Sequence, residues 1–392
     1  LHHPPQALTT PTITNYVFLI VAAGRAGAAP PAEQPREAAV ALLRRHIDAQ
    51  SRLSRASWQM DIERTWHTLD GHDGRTKTHV AVLNDRDRYR VEGQVRYPEK
   101  ETLSYDFQVV DDGRYCIYYR RAPDEASPDA GMAARENRPT FRETYAKSPQ
   151  LGGPLDAYLS MTGGKELAEQ LLVSDDLSIS GRDVIGDIAC VVVGGHTPYG
   201  LIRLWIAPDK GHCCVRFRVE RRDNDRIGPN PVNRVTIPNK NGKKVPVREI
   251  MSELDQVEIE KIEDHYVPVR GRYCDTTYFQ EDAHGSREVD EMHYRRTEIN
   301  LEPDLRDARA FATDLPAHAI VNLVEGETAR SGIFYNWNGN ELVPIHTDSS
   351  APKDTFNSNG SSKYYLITAN VAIILTAVVI SYLRRKRKET DR

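Results

Sequence analysis

The stretch Gly211-His212-Cys213-Cys214 joins a histidine to two adjacent cysteines, residue types that can hold zinc or exchange a disulfide. Its surroundings argue against both. Leu201 to Ile206 and Cys213 to Arg222 alternate along their length, and Pro208-Asp209-Lys210-Gly211 between them is turn chemistry. Neighbouring strand residues point to opposite faces. Cys213 is therefore expected beside Val215, Phe217 and Val219, and Cys214 beside Arg216, Arg218 and Glu220, so the pair cannot chelate one ion together. Zinc takes four ligands, and no second Cys/His pair at metal spacing and no C-x-x-C occurs in the chain. No metal or other cofactor is expected, and the stretch reads as a hairpin.

Other candidates for chemistry are equally bare. His196 follows Gly194-Gly195 with no G-x-S-x-G, and the thirteen histidines form no H-E-x-x-H pair. Glu258, Glu260, Glu263 and Asp264 resemble paired carboxylates but read as the solvated face of a strand. No catalytic residue is expected. The five cysteines are too few for a disulfide framework, although an oxidising compartment would permit one or two bridges.

The elements carrying these residues are mostly strands. Residues 33 to 54 predict one amphipathic helix, with Pro35 in its first turn and Ala39, Leu42, Leu43, Ile47 and Leu53 on a stripe. From Trp58 onward alternation takes over: Trp58, Met60 and Ile62; Tyr89, Val91, Val95 and Tyr97; Leu103, Tyr105, Phe107 and Val109. Asp112-Gly113 predicts a hairpin turn. Prolines break the pattern over 121–154, read as an extended insertion with little regular structure. A short helix is expected over 165–172, and strands over 177–183, 187–194, 200–206 and 213–222. A second insertion covers 223–250, before strands at 257–265, 266–279 and 287–300. The sum is a mainly β (α+β) chain, a curved antiparallel sheet wet on one side.

The ends predict topology. Tyr364 to Leu383 is an uncharged run, roughly 30 Å as a helix, and Arg384 to Lys388 after it is a basic stop. A transmembrane helix over 364–383 is expected, with a cytoplasmic tail at 384–392 and a flexible tether at 346–363. Residues 1–28 read as a signal peptide, with an uncleaved anchor as the alternative. The domain at 29–345 then lies outside the cytoplasm. Setting aside the tail and Arg25, residues 29 to 383 carry a net charge of −9, which disfavours nucleic acid as a partner.

The order of motifs resembles the LolA/LolB-like family of outer membrane lipoprotein-sorting proteins. "DRYRVEGQV" and "VVDDGRYCIYY" look like that family's strand, turn and aromatic strand, and "PLDAYLSMTGGKELAEQLLV" is similar to its lid-like segment. "IRLWIAPDKGHCCVRFRVE" looks like its signature hairpin and "FATDLPAHAIVNL" like its closing element, so the likeness spans about 33–323. It implies an incomplete β-barrel closed by helices, with an apolar concave face that holds acyl chains. By parity, Tyr89, Val91, Tyr105, Phe107, Ile117, Leu204, Val215 and Phe217 are the expected inward-facing wall. "IFYNWNGNELVPI" (333–345) reads as a small extra hairpin. The expected function is a membrane-anchored, non-enzymatic domain of the bacterial cell envelope that binds lipid or a lipidated protein. The alternative is an envelope-sensing module with an envelope protein partner. The C-terminal anchor departs from the family's soluble carriers and argues against shuttling.

Overall fold

The computed structural model describes residues 35–345 except 87, 122–129, 136–140, 143–144, 146, 160–165, 229, 240, 281–286, 308–309, 314, 316–318, 326–327 and 340. The expected leader, tether, membrane helix and tail lie outside the described residues, as do parts of both insertions. Among the described residues no helix is long and apolar enough to cross a membrane.

Helix α1 (Pro35–Ser51) buries Ala39, Leu42 and Leu43, the stripe its spacing predicts, and runs into a 3-10 turn at Arg52–Ser54. There follow β1 (Arg55–His67), β2 (Asp73–Asp85), β3 (Arg88–Arg96), β4 (Tyr105–Asp111), β5 (Cys116–Arg121) and β6 (Ala130–Ala134). Two 3-10 turns (Pro149–Leu151 and Gly153–Asp156) and α2 (Leu167–Leu172) precede β7 (Ser178–Ile185), β8 (Ile188–Thr197), β9 (Gly200–Ala207) and β10 (Cys213–Arg222). The chain continues through β11 (Arg226–Ile227), β12 (Asn230–Pro231), β13 (Thr236–Pro238), β14 (Lys244–Ile262), β15 (His265–Phe279) and β16 (Arg287–Asn300). It ends with β17 (Ile320–Glu325), β18 (Thr328–Trp337) and β19 (Leu342–Pro344).

One large curved sheet results, open rather than closed into a barrel. Across it the strands run β7-β8-β9-β10-β14-β15-β16-β1-β2-β3-β4-β5-β6-β17-β18-β19, with β13 flanking the start of β14. Every pairing is antiparallel except β6 with β17. The hairpin at Asp112-Gly113 forms as expected: Asp112 Oδ1 accepts the backbone N–H of Arg114 and of Tyr115, each at 2.7 Å, and Gly113 takes φ 90°. Inward residues of the strands meet α1, α2 and the 149–159 segment in one core.

Three boundaries differ from expectation. The first insertion contains β6, which bridges β5 to β17. β14 begins at Lys244 rather than 257, because Pro246 lies where the strand pairs only with the short β13 and Val245, Val247 and Ile250 pack with Val232 and Phe279. A bulge between Val247 and Glu249 breaks the alternation there, so a loop-like composition hides a strand. Leu103 is exposed in a 3-10 turn, and β4 starts two residues later.

Candidate functional site

Of the eight expected wall residues, seven lie on the concave side. Val91, Leu204, Val215 and Phe217 are fully buried, Tyr89 and Phe107 nearly so, and Tyr105 is half-buried. Ile117 is on the opposite face, packed with Tyr119, Val321 and Trp337. Strand parity alone aims it inward, but the turn sets Cys116 opposite Asp111 and Ile117 opposite Val110, so Tyr118 faces inward instead.

The cysteines need a second correction. β10 carries a bulge: Cys214 pairs with Ile206 and Arg216 with Trp205, leaving Val215 between them. Cys214 and Val215 therefore both join the core with Phe217, while Cys213 Sγ lies 3.4 Å from the Tyr266 carbonyl. All five cysteines are free. Burial pushes the Cys213 thiol up to about 12 and the Cys214 thiol higher still, so neither is a thiolate at neutral pH.

One half of the concave face is filled. The 149–159 segment inserts Leu151, Leu155 and Leu159 into the core that α1 and α2 share. It is fastened by β16: Tyr294 donates its hydroxyl to the Pro149 carbonyl at 2.8 Å, and Arg296 grips both Asp156 oxygens at 3.0 and 3.1 Å. Arg296 also donates to the Pro268 carbonyl at 3.1 Å and lies 4.8 Å over the Trp58 ring. Close approach demands glycine here. At Gly152 (φ 86°) a Cβ would stand 2.3 Å from the Met60 sulfur, and at Gly271 2.9 Å from Leu155.

His46 of α1 is buried in the same half and donates through Nδ1 to the His212 carbonyl at 2.8 Å. Desolvation lowers its pKa, outweighing that hydrogen bond. A histidine lowered in the folded state contributes stability that is present above its unfolded value of about 6.5 and is lost as pH falls below it. Denaturation midpoints should therefore drop below that pH. His46→Gln should shrink the slope without abolishing it, because desolvation also lowers His212.

The other half is aromatic and charged. Tyr105, Phe107, Tyr118, Tyr145 and Phe141 form a chain of ring contacts with centroids 4.4 to 6.3 Å apart. Arg64 pairs with Asp290 through two bonds of 2.8 and 2.7 Å. Further along the face, fully buried Arg221 donates to Ser252 Oγ at 2.9 Å, and Ser252 and Tyr273 both donate to Asp275. Burial raises the Asp275 carboxyl. None of these polar groups was singled out from sequence, although parity with Phe217 and Val219 points Arg221 inward.

Two surface clefts lie on the rim, and none of the expected wall residues lines either. One, of about 450 Å³, is bordered by Arg55, Asp85, Arg88, Asp304 and Arg306. The other, of about 400 Å³, holds His196, whose Nε2 is 3.0 Å from Asp225 Oδ1.

No family model and no curated protein matches the chain. Among solved structures it is similar to a DUF1329 family protein from Desulfovibrio piger ATCC 29098 (11% identity, 71% of this chain and 97% of that one, TM-score 0.35). It is also similar to a LolA superfamily protein from Nitrosomonas europaea (15%, 70% and 98%, TM-score 0.32). A third is an outer membrane lipoprotein-sorting protein domain from Vibrio parahaemolyticus (7%, 69% and 96%, TM-score 0.36). The second and third of these bear the LolA and lipoprotein-sorting descriptions. No residue role is carried over from them.

Proposed function

We propose that this chain is a non-enzymatic binding protein of the bacterial cell envelope that takes lipid or a lipidated protein on the concave face of its sheet. The aromatic row from Tyr105 to Phe141 carries this reading, with Phe107 and Phe141 buried and Tyr105, Tyr118 and Tyr145 half-buried. Its phenylalanines join the apolar core while its three tyrosines are only partly covered, the kind of surface on which an acyl chain gains burial. The filled half would act as a floor, and displacement of the 149–159 segment would lengthen the site. The uncharged run at 364–383 and the basic residues after it support a membrane anchor that keeps the domain beside its ligand's source.

The purified chain should release lipid on solvent extraction and take up a fluorescent fatty-acyl probe saturably, with Tyr118→Ala weakening uptake. A well-folded chain that neither carries lipid nor binds the probe would refute the function.

A further inference from the structure

Arg120 extends from the end of β5 along the aromatic row, its guanidinium 3.8 Å from the centre of the Tyr105 ring. Its Nε is buried and has no hydrogen-bond partner. No carboxylate pairs with it among the described residues. The neighbouring carboxylate on this face, Asp290, is already held by both bonds from Arg64. Tyr105 lies in the field of both arginines. The hydroxyls of Tyr97, Tyr105 and Tyr118 have no partner among the described residues. Burial keeps the Tyr105 and Tyr118 phenols neutral, the latter pushed up to about 12, so they remain donors. Each neutral phenol can donate or accept, while the Arg120 guanidinium can only donate. A half-buried guanidinium with an open N–H is costly alone and is relieved by an anion.

The same cluster adjoins apolar surface. From Tyr105 the face runs through Phe107 and Val109 along β4, about 20 Å at the rise of a strand. Its far end is Asp111, whose carboxylate accepts from the Gly113 N–H at 3.0 Å, so acidic charge lies at one end of the strip and open donors at the other.

We propose that Arg120, with the Tyr97, Tyr105 and Tyr118 hydroxyls, receives the acidic headgroup of an anionic amphiphile whose chain lies along Phe107 and Tyr118. This inference rests on the apolar-ligand function above and adds the headgroup's charge and its orientation. A net-negative domain repels anions at long range, so recognition falls to this local cluster.

Equilibrium binding of oleate, oleyl alcohol and acetate to the full chain tests it, with oleate below its micellar concentration. Oleate should bind about tenfold tighter than oleyl alcohol, the scale of one charge-assisted hydrogen bond. Arg120→Gln should remove the preference for oleate over the alcohol, while Arg120→Lys should keep most of it. Equal binding of oleate and alcohol to the native chain overturns the headgroup site and leaves the apolar-ligand function standing. Acetate competing as well as oleate would make the site one for a free anion, against the proposal. Binding of neither long-chain probe defeats both.

Discussion

Asp156→Ala is expected to destabilise the fold by about 3 kcal/mol, at the low end of the cost of removing one partner from a buried ion pair. Arg296 is the reason. Its side chain is 0% exposed, and without Asp156 its charge keeps only the Pro268 carbonyl and the Trp58 face. Asp156 is 30% exposed and can be rescued by water, so the opposite change, Arg296→Met, should cost less. Denaturant midpoints of the two variants and of the double variant measure the coupling directly. An Asp156→Ala cost within about 0.5 kcal/mol, the range of an ordinary surface change, would mean that the pair does not form in solution. The same variant bears on function. Asp156 ends the second 3-10 turn of the segment that fills half of the concave face, so loosening it should raise probe uptake even as stability falls.

The broad architecture was legible because it depends on period. Alternation from Trp58 onward and the Asp112-Gly113 turn specify a curved antiparallel sheet, and the stripe from Ala39 to Leu53 specifies the helix that covers it. What escaped lies where one residue shifts the register. The bulge at Val215 moved Cys214 into the core, and the turn after β4 set Ile117 outward and Tyr118 inward. Bulges leave no mark in a count of alternating residues. The β6–β17 pairing joins segments nearly 190 residues apart in sequence, and no local pattern encodes it. The inward polar groups were hidden for another reason. Arginine is a type expected on the solvated face, yet Arg64 shares the parity of Met60 and Ile62, Arg221 that of Phe217 and Val219, and Arg120 is set inward by the register of β5 on β4.

Phe217→Ala distinguishes the filled half from the aromatic half. Phe217 is fully buried between its cross-strand partners Leu204 and Leu254, also fully buried, with the Tyr273 ring 6.2 Å away. Truncation there should cost about 3–5 kcal/mol, lost transfer energy plus an unfilled cavity. A wall facing an open, hydrated cavity would lose far less, because water would replace what the ring had already left exposed. Tyr118→Ala should show the opposite balance, a smaller stability loss because Tyr118 is half-buried and a larger loss of acyl-probe binding. Measuring both quantities for both variants locates the ligand. If Phe217→Ala also removes probe binding while the chain stays folded, the acyl chain reaches the filled half, and the 149–159 segment must leave its place for binding to occur.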